Sequence, residues 1–429
     1  MQRTPIFRFG PATLVAAAFI GPGTVVTASM AGAQFGYALL WALVFAMLAT
    51  LILQEMAARI GVVTGAGLGE RLRVVVERPI LRAAFILLVV AAVVVGNSAF
   101  QGGNLTGAAM GADGLWASAA WVEFSRQRLG INPWAFIIGG IAIAVLWQGY
   151  YKRIEKVLIA LVVLMSMSFL TTFTLSQPDV MAILRGLVTI RIPDGGALTT
   201  MALIGTTVVP YALFLHAASA AKRWPADVGY QASTNVEVAQ HEQVEQALRE
   251  ARADIRTSIP LGALVTLAIL STAAAAFYSQ PGTITGAADL ARSLQPVFGT
   301  AATYLMAGGL LAAGVSSAVT APLASAYALT GVLGWSTDMR GWPFRLTWLT
   351  IIIIGMIISS LGIQPVTLII FAQVANGILL PFITGFLLLA VNQPGLGRFA
   401  NSRWQNVLGG LVFVVAMVLG ARSIWLAVG

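Results

Sequence analysis

Two short interruptions of apolar segments are the places where this chain could best bind a small substrate. One is GPGT within FIGPGTVVTA, and the other is TTVVPY within LIGTTVVPYALFLHAA. A proline interrupts a helix, and the half-helix that begins there presents unpaired N–H groups and a positive dipole end. The substrate-binding candidates at the two breaks are Gly21, Pro22, Gly23, Thr24, Thr206, Val209, Pro210 and Tyr211.

Four further polar residues lie in apolar segments. Gln101 and Asn104 are one helical turn apart in FQGGNLTG, so both side chains can point inward. Gln101 and Asn376 are further substrate-binding candidates, whereas Asn104 and His216 are candidates for a proton-transfer or gating step. An ionisable residue in a membrane, here His216, is often functional. An ordinary hydrogen bond between helices is the alternative for each of them.

Chemistry beyond binding has little support in the sequence. The apolar segments hold no nucleophile with a neighbouring base and no HExxH zinc motif, and the chain has no cysteine. No dedicated charged metal ligand lies at either break, where Thr24 and Thr206 are the side-chain candidates for a metal. We therefore predict a protein that is not an enzyme and needs no cofactor.

Composition identifies the chain as a membrane protein. Of its 429 residues 58% are hydrophobic and 10% charged, and the mean hydropathy is +0.86. A membrane-spanning helix needs about 20 mostly apolar residues. Eleven such spans are predicted, near residues 11–31, 37–58, 80–102, 132–149, 155–176, 197–219, 258–278, 299–329, 344–362, 366–391 and 405–427.

The net charge of +9 is explained by membrane topology rather than by a nucleic-acid partner. Most of the 25 lysines and arginines fall in loops on the side of the N-terminus, which is the bias typical of cytoplasmic loops. We expect a cytoplasmic N-terminus, an external C-terminus, no cleaved signal peptide and a place in the cell membrane. The polar insert Lys222–Ile259 predicts a short amphipathic helix on the cytoplasmic surface.

The two breaks also predict the architecture. They fall in spans one and six, and corresponding breaks in two halves indicate an inverted-repeat transporter. We therefore expect an all-α protein with one transmembrane domain over 1–429, a first repeat at 11–176, a second at 197–391 and an extra helix at 405–427. In such a fold the broken backbone lines a polar cavity, away from lipid. Two simple proline kinks are the alternative.

Several motifs resemble those of the Nramp family, the proton-coupled divalent-metal transporters with a LeuT-type fold. GPGTVVTASMAGAQFGYALLWAL is similar to the first span, QEMAARIGVVTGAGLGE to the end of the second, VVPYALFLH to the sixth-span break and LLAAGVSSAVTAPLA to the eighth span. The resemblance covers most of the chain. It implies a transporter in the lipid bilayer with a small substrate or ion, and a monomer.

The chain departs from this family at the metal site. Where the family has Asp-Pro-Gly-Asn and Met-Pro-His, this chain has Gly21-Pro22-Gly23-Thr24 and Val209-Pro210-Tyr211. Leu379 matches the position of a tenth-span glutamine, and Gln101 and Asn104 match acidic residues of the proton route. His216 keeps the family's histidine.

Three interpretations of the substrate follow from these departures. The first is a divalent cation that keeps part of its water shell, as Mg²⁺ tends to do, with weak or no proton coupling. The second is a neutral or zwitterionic solute such as an amino acid, held by the half-helix N-termini. The third is an ion channel or a sensor that does not transport.

Overall fold

We describe the protein from a computed structural model, over residues 20–75, 79–116, 120–148, 151–176, 178–224, 237–278 and 284–428. All the α-helices in these ranges are labelled here in chain order. They are α1 (Pro22–Phe35), α2 (Leu40–Thr64), α3 (Leu68–Val75), α4 (Pro79–Ala91), α5 (Asn97–Leu115), α6 (Ala120–Leu129), α7 (Pro133–Gln148), α8 (Tyr151–Leu175), α9 (Val180–Val188), α10 (Ala197–Thr207), α11 (Pro210–Arg223), α12 (Glu237–Phe277), α13 (Ala287–Ala291), α14 (Gln295–Phe298), α15 (Ala301–Leu333), α16 (Trp342–Ser359), α17 (Pro365–Val391) and α18 (Arg403–Val428).

The helices confirm a multi-pass, all-α membrane protein. Within the described ranges, eight helical segments are long and apolar enough to cross a membrane, or nine if the bent pair α6 and α7 is one span. A π-helical turn, Ala92–Gly96, joins α4 to α5. The predicted count of eleven spans is not confirmed, and residues 11–19 of the first predicted span lie outside the described residues.

The surface helix predicted within the insert Lys222–Ile259 is not a separate element. Its residues from Glu237 onward begin α12, which runs 41 residues without a break to Phe277 and includes Pro260. The amphipathic stretch is thus the end of a membrane span. The eighth predicted span is likewise one helix, α15, despite Pro322 in its interior.

Small residues let the central helices approach closely. Helix α5 packs along α15, where a Cβ on Gly314 would lie 2.7 Å from the Cα of Ala108. A Cβ on Gly32 of α1 would lie 2.8 Å from a backbone nitrogen of α12. Lipid tails are as apolar as leucine, so the hydrophobic effect does not drive helices together inside a membrane. Close packing at small residues stabilises these contacts instead. They bring α5 against α15 and α1 against α12.

We expect Gly314→Val to destabilise the protein and Gly308→Val to leave its stability nearly unchanged. Both positions lie in α15, so the change in helix propensity is the same. The Gly308 Cβ position faces open space, whereas that of Gly314 is filled by α5. Overpacking of this kind costs about 1–3 kcal/mol. Melting curves of the two detergent-purified variants test this, and equal melting temperatures would contradict the packing described.

Candidate functional site

Pro210 accounts for the break in the sixth span. Helix α10 ends at Thr207, and Val208 and Val209 leave the helical conformation, with ψ angles of 78° and 113°. Pro210 then occupies the first turn of α11, where its missing N–H costs no hydrogen bond. A residue before proline is driven to extended backbone, so the sequence itself sets the position of this break.

The first break has the same local form on the part of the chain that the structure describes. Gly21 is extended, with φ −100° and ψ −178°, and Pro22 begins α1. The half-span expected before it lies outside the described residues. The first break is therefore observed as the start of helix α1 at Pro22.

The two breaks meet through a pair of threonines. Thr24 Oγ1 lies 3.0 Å from Thr206 Oγ1, within hydrogen-bond distance, although the two residues are 182 positions apart. Thr24 is 1% exposed and Thr206 is 2% exposed. The structure therefore brings together one predicted residue from each break, at a point where hydroxyl oxygens converge.

Helix α17 contributes a residue that the sequence analysis missed. A Cβ on Gly23 would overlap the side-chain amide of Gln373, and a Cβ on Gly205 would overlap the Gln373 backbone. Gln373 therefore lies between the start of α1 and the end of α10. A signal was present, because Gln373 is one turn before Asn376 in an otherwise apolar span.

Leu379, to which the family resemblance assigns the position of the tenth-span glutamine, occupies a different place on the same helix. Its side chain and the hydroxyl of Tyr211 both lie against Gly96, at the end of the π-helical turn. The ring of Tyr211 also lies 6.2 Å, centroid to centroid, from that of Phe100. Tyr211 thus contacts α5 and its connection to α4, next to the apolar side chain of Leu379.

Several buried side chains near these breaks have polar atoms with no hydrogen-bond partner in the described structure, and three of them are large enough to extend into a site. They are the hydroxyl of Tyr211 and both amide atoms of Gln373 and of Asn376. All three residues are at most 1% exposed. Leaving such groups unpaired in an apolar interior costs free energy, so unpaired groups of this kind require an explanation such as a bound ligand.

Polar side chains on one face of α5 donate hydrogen bonds to α15. Gln101 Nε2 donates to the carbonyl of Ala318 in α15 at 3.1 Å, and Asn97 Nδ2 donates to that of Ala321 at 2.7 Å. Asn104 shares this face of α5 and is buried, with its Nδ2 unpartnered. Gln101 therefore makes an interhelical hydrogen bond through Nε2, while its buried Oε1 has no partner among the described residues.

His216 is buried in α11, the helix that begins at the sixth-span break. Its Nδ1 lies 2.5 Å from Oε1 of Gln54 in α2, and the ring is 1% exposed. The partner is a neutral amide rather than a carboxylate. The histidine thus joins α11 to α2 through its contact with this amide.

Carboxylates are scarce around this centre. Helices α1, α5, α10, α11, α15 and α17 contain one acidic residue, Asp113, which pairs with Arg126 at 2.6 Å. Over the described ranges, no group of three or more His, Cys, Asp and Glu residues could hold a metal. Oxygen ligands here would be hydroxyls, side-chain amides and backbone carbonyls.

Known proteins resemble this chain in sequence over nearly its whole length. The divalent metal cation transporter MntH of Klebsiella pneumoniae (strain 342) is 28% identical, over 100% of this chain and 95% of that protein. MntH of Deinococcus radiodurans is 26% identical, over 98% of this chain and 90% of its own length.

Solved structures share the fold. The Eremococcus coleocola manganese transporter, in complex with an aromatic bis-isothiourea substituted compound, superposes with a TM-score of 0.75 at 23% identity, covering 97% of this chain and 85% of its own. Mhp1, a nucleobase-cation-symport-1 family transporter, gives 0.55 at 16% identity, covering 98% and 93%. These neighbours confirm the LeuT-type fold class.

The family match covers nearly the whole chain. The model of the natural resistance-associated macrophage protein-like (Nramp) family matches residues 12–426. The motifs around both breaks and those of the second and eighth spans fall within that range. This protein therefore belongs to the Nramp family.

Proposed function

We propose that this protein is a secondary transporter that carries a partly hydrated divalent metal cation by alternating access. The observation that carries the proposal is the contact between the two breaks, where the hydroxyls of Thr24 and Thr206 lie 3.0 Å apart. Broken helices in this fold class form substrate sites near the middle of the membrane. The unpaired amides of Gln373 and Asn376 supply further neutral oxygens nearby.

Family membership supports the class of function. Nramp proteins are transporters rather than enzymes, and the relatives MntH and the Eremococcus coleocola protein are named as divalent metal cation and manganese transporters. We infer from these names that a divalent metal cation is the substrate of this chain as well.

The scarcity of carboxylates in the central helices, where Asp113 is paired with Arg126, favours a cation that keeps water. A dehydrated ion in an uncharged apolar site would lose its hydration energy without a compensating charge. Mg²⁺ dehydrates reluctantly and usually keeps several waters. Hydroxyl and amide groups can hold those waters by hydrogen bonds. Val209 has no sulfur atom, so it cannot bind a metal ion as the family's methionine does.

Weak or absent proton coupling belongs to the same proposal. The positions in α5 that match the acidic residues of the family's proton route are Gln101 and Asn104, and Gln101 is bonded to α15. His216 faces the amide of Gln54. Neither arrangement offers a chain of titratable groups along which a proton could move.

A zwitterionic solute is the second candidate. Helices α1 and α11 both begin at the breaks, and their N-termini favour a carboxylate. The amides of Gln373 and Asn376 can donate as well as accept, so the same groups fit an amino acid. Titration with Mg²⁺, Mn²⁺ and a panel of amino acids separates the two candidates.

We expect Thr206→Val to weaken binding of Mg²⁺ or Mn²⁺ about tenfold, because it removes one hydroxyl of the central pair without changing the size of the side chain. Thr207→Val is the matched control, since the hydroxyl of Thr207 is bonded to the carbonyl of Leu203 in its own helix at 3.1 Å. Isothermal titration of the purified variants measures both. Equal affinities would show that the pair does not contact the ion.

Restoring the family's aspartate with Gly21→Asp should strengthen Mn²⁺ binding by tenfold or more, because a carboxylate then faces a cation in a low-dielectric site. Preference should move from Mg²⁺ toward Mn²⁺ as the site becomes able to replace water. Competition titrations measure the change. An unaltered Mn²⁺ affinity would mean that Gly21 does not line the site.

Proteoliposomes test the coupling. Metal uptake driven by its own gradient should leave the pH inside the vesicles unchanged, because no proton route accompanies the site. A trapped pH-sensitive dye and a metal-sensitive dye, read in the same vesicles, report both fluxes. Acidification that scales with metal uptake would contradict uncoupled transport.

A further inference from the structure

A groove that contains none of the residues of the breaks combines apolar walls with arginines. It has a volume of about 410 Å³ and lies where α2, α12 and α18 come together. Its apolar walls include Leu51 and Ile52 of α2 and Leu408 of α18, and its polar end holds Glu55, Arg252 and Arg256. One end of the groove is therefore charged and the other resembles a lipid-facing surface.

The charged end carries an excess of positive charge. Glu55 forms one ion pair with Arg59, at 2.8 Å, and a second with Arg252, at 2.9 Å. One carboxylate thus serves two guanidinium groups. Arg256 lies one turn beyond Arg252 on the same face of α12, is exposed, and has no hydrogen bond or ion pair to the residues that the structure describes.

The apolar end continues along the membrane surface of the protein. Leu408 is 45% exposed, and Leu411, one turn further along α18, is 56% exposed. On α2, Leu48 lies one turn from Leu51 and is 49% exposed. The two rows of leucines extend away from the arginines into the segment that crosses the membrane.

We propose that this groove binds one phospholipid with an anionic headgroup. The phosphate contacts Arg256 and Arg252, and an acyl chain lies along the leucines of α2 and α18. Guanidinium groups match phosphate oxygens in geometry and charge, and basic pockets between membrane helices bind such headgroups. A soluble anion would satisfy the arginines but leave the apolar walls uncovered.

The test measures how lipid stabilises the delipidated protein in detergent. Phosphatidylglycerol should raise the melting temperature more than phosphatidylcholine does. Arg256→Gln should weaken the apparent affinity for phosphatidylglycerol about fivefold. Arg340→Gln, which removes an exposed arginine outside the groove, should leave it unchanged. Native mass spectrometry of the same samples counts the retained lipid, independently of melting.

Three outcomes would overturn the proposal. Equal responses to the two lipids would remove the role of headgroup charge, and equal losses in the two arginine variants would place the lipid elsewhere. Glycerol 3-phosphate that stabilises the protein as strongly as phosphatidylglycerol would show that a soluble phosphate, rather than a lipid, occupies the site. The result does not depend on the transported substrate, because no residue of the groove lies at the breaks.

Discussion

A helix that ends inside a membrane leaves backbone N–H and C=O groups that lipid cannot satisfy, and the rest of this structure follows from that constraint. Such ends are tolerated only where protein or a polar cavity surrounds them. Here α10 and α11 separate at Val208 and Val209, and α1 begins at Pro22. The close approach of α17 at Gly23 and Gly205 covers both breaks.

This chain has the two proline breaks, and the family resemblance matches neutral residues to the family's metal ligands at both of them. The prolines of both breaks are present, but a glycine and a valine stand where the resemblance places an aspartate and a methionine. Neutral groups remain, including the hydroxyl pair of Thr24 and Thr206 and the unpaired amide of Gln373. A site of this kind interacts weakly with a bare ion and more favourably with one that brings its own water.

Local patterns predicted much of the fold, whereas long-range packing determined the rest. Pro22 and Pro210 identified the breaks because proline acts on its own backbone. Gln373 was missed because its role depends on the approach of α17 to Gly23 and Gly205. The hydrogen bond from Gln101 to Ala318 likewise depends on which face of α5 meets α15, and the local sequence does not show that face. The surface helix predicted after Lys222 is instead part of α12, because Pro260 does not end that long helix.

The hydration of the bound ion tests the central claim most directly. Mn²⁺ can stand in for Mg²⁺, and pulsed electron paramagnetic resonance of the protein–Mn²⁺ complex in D₂O counts the exchangeable waters on the metal. We predict several retained waters, about half or more of the six octahedral positions. A bound Mn²⁺ without exchangeable water, or a protein that binds amino acids and no divalent metal, would contradict the account.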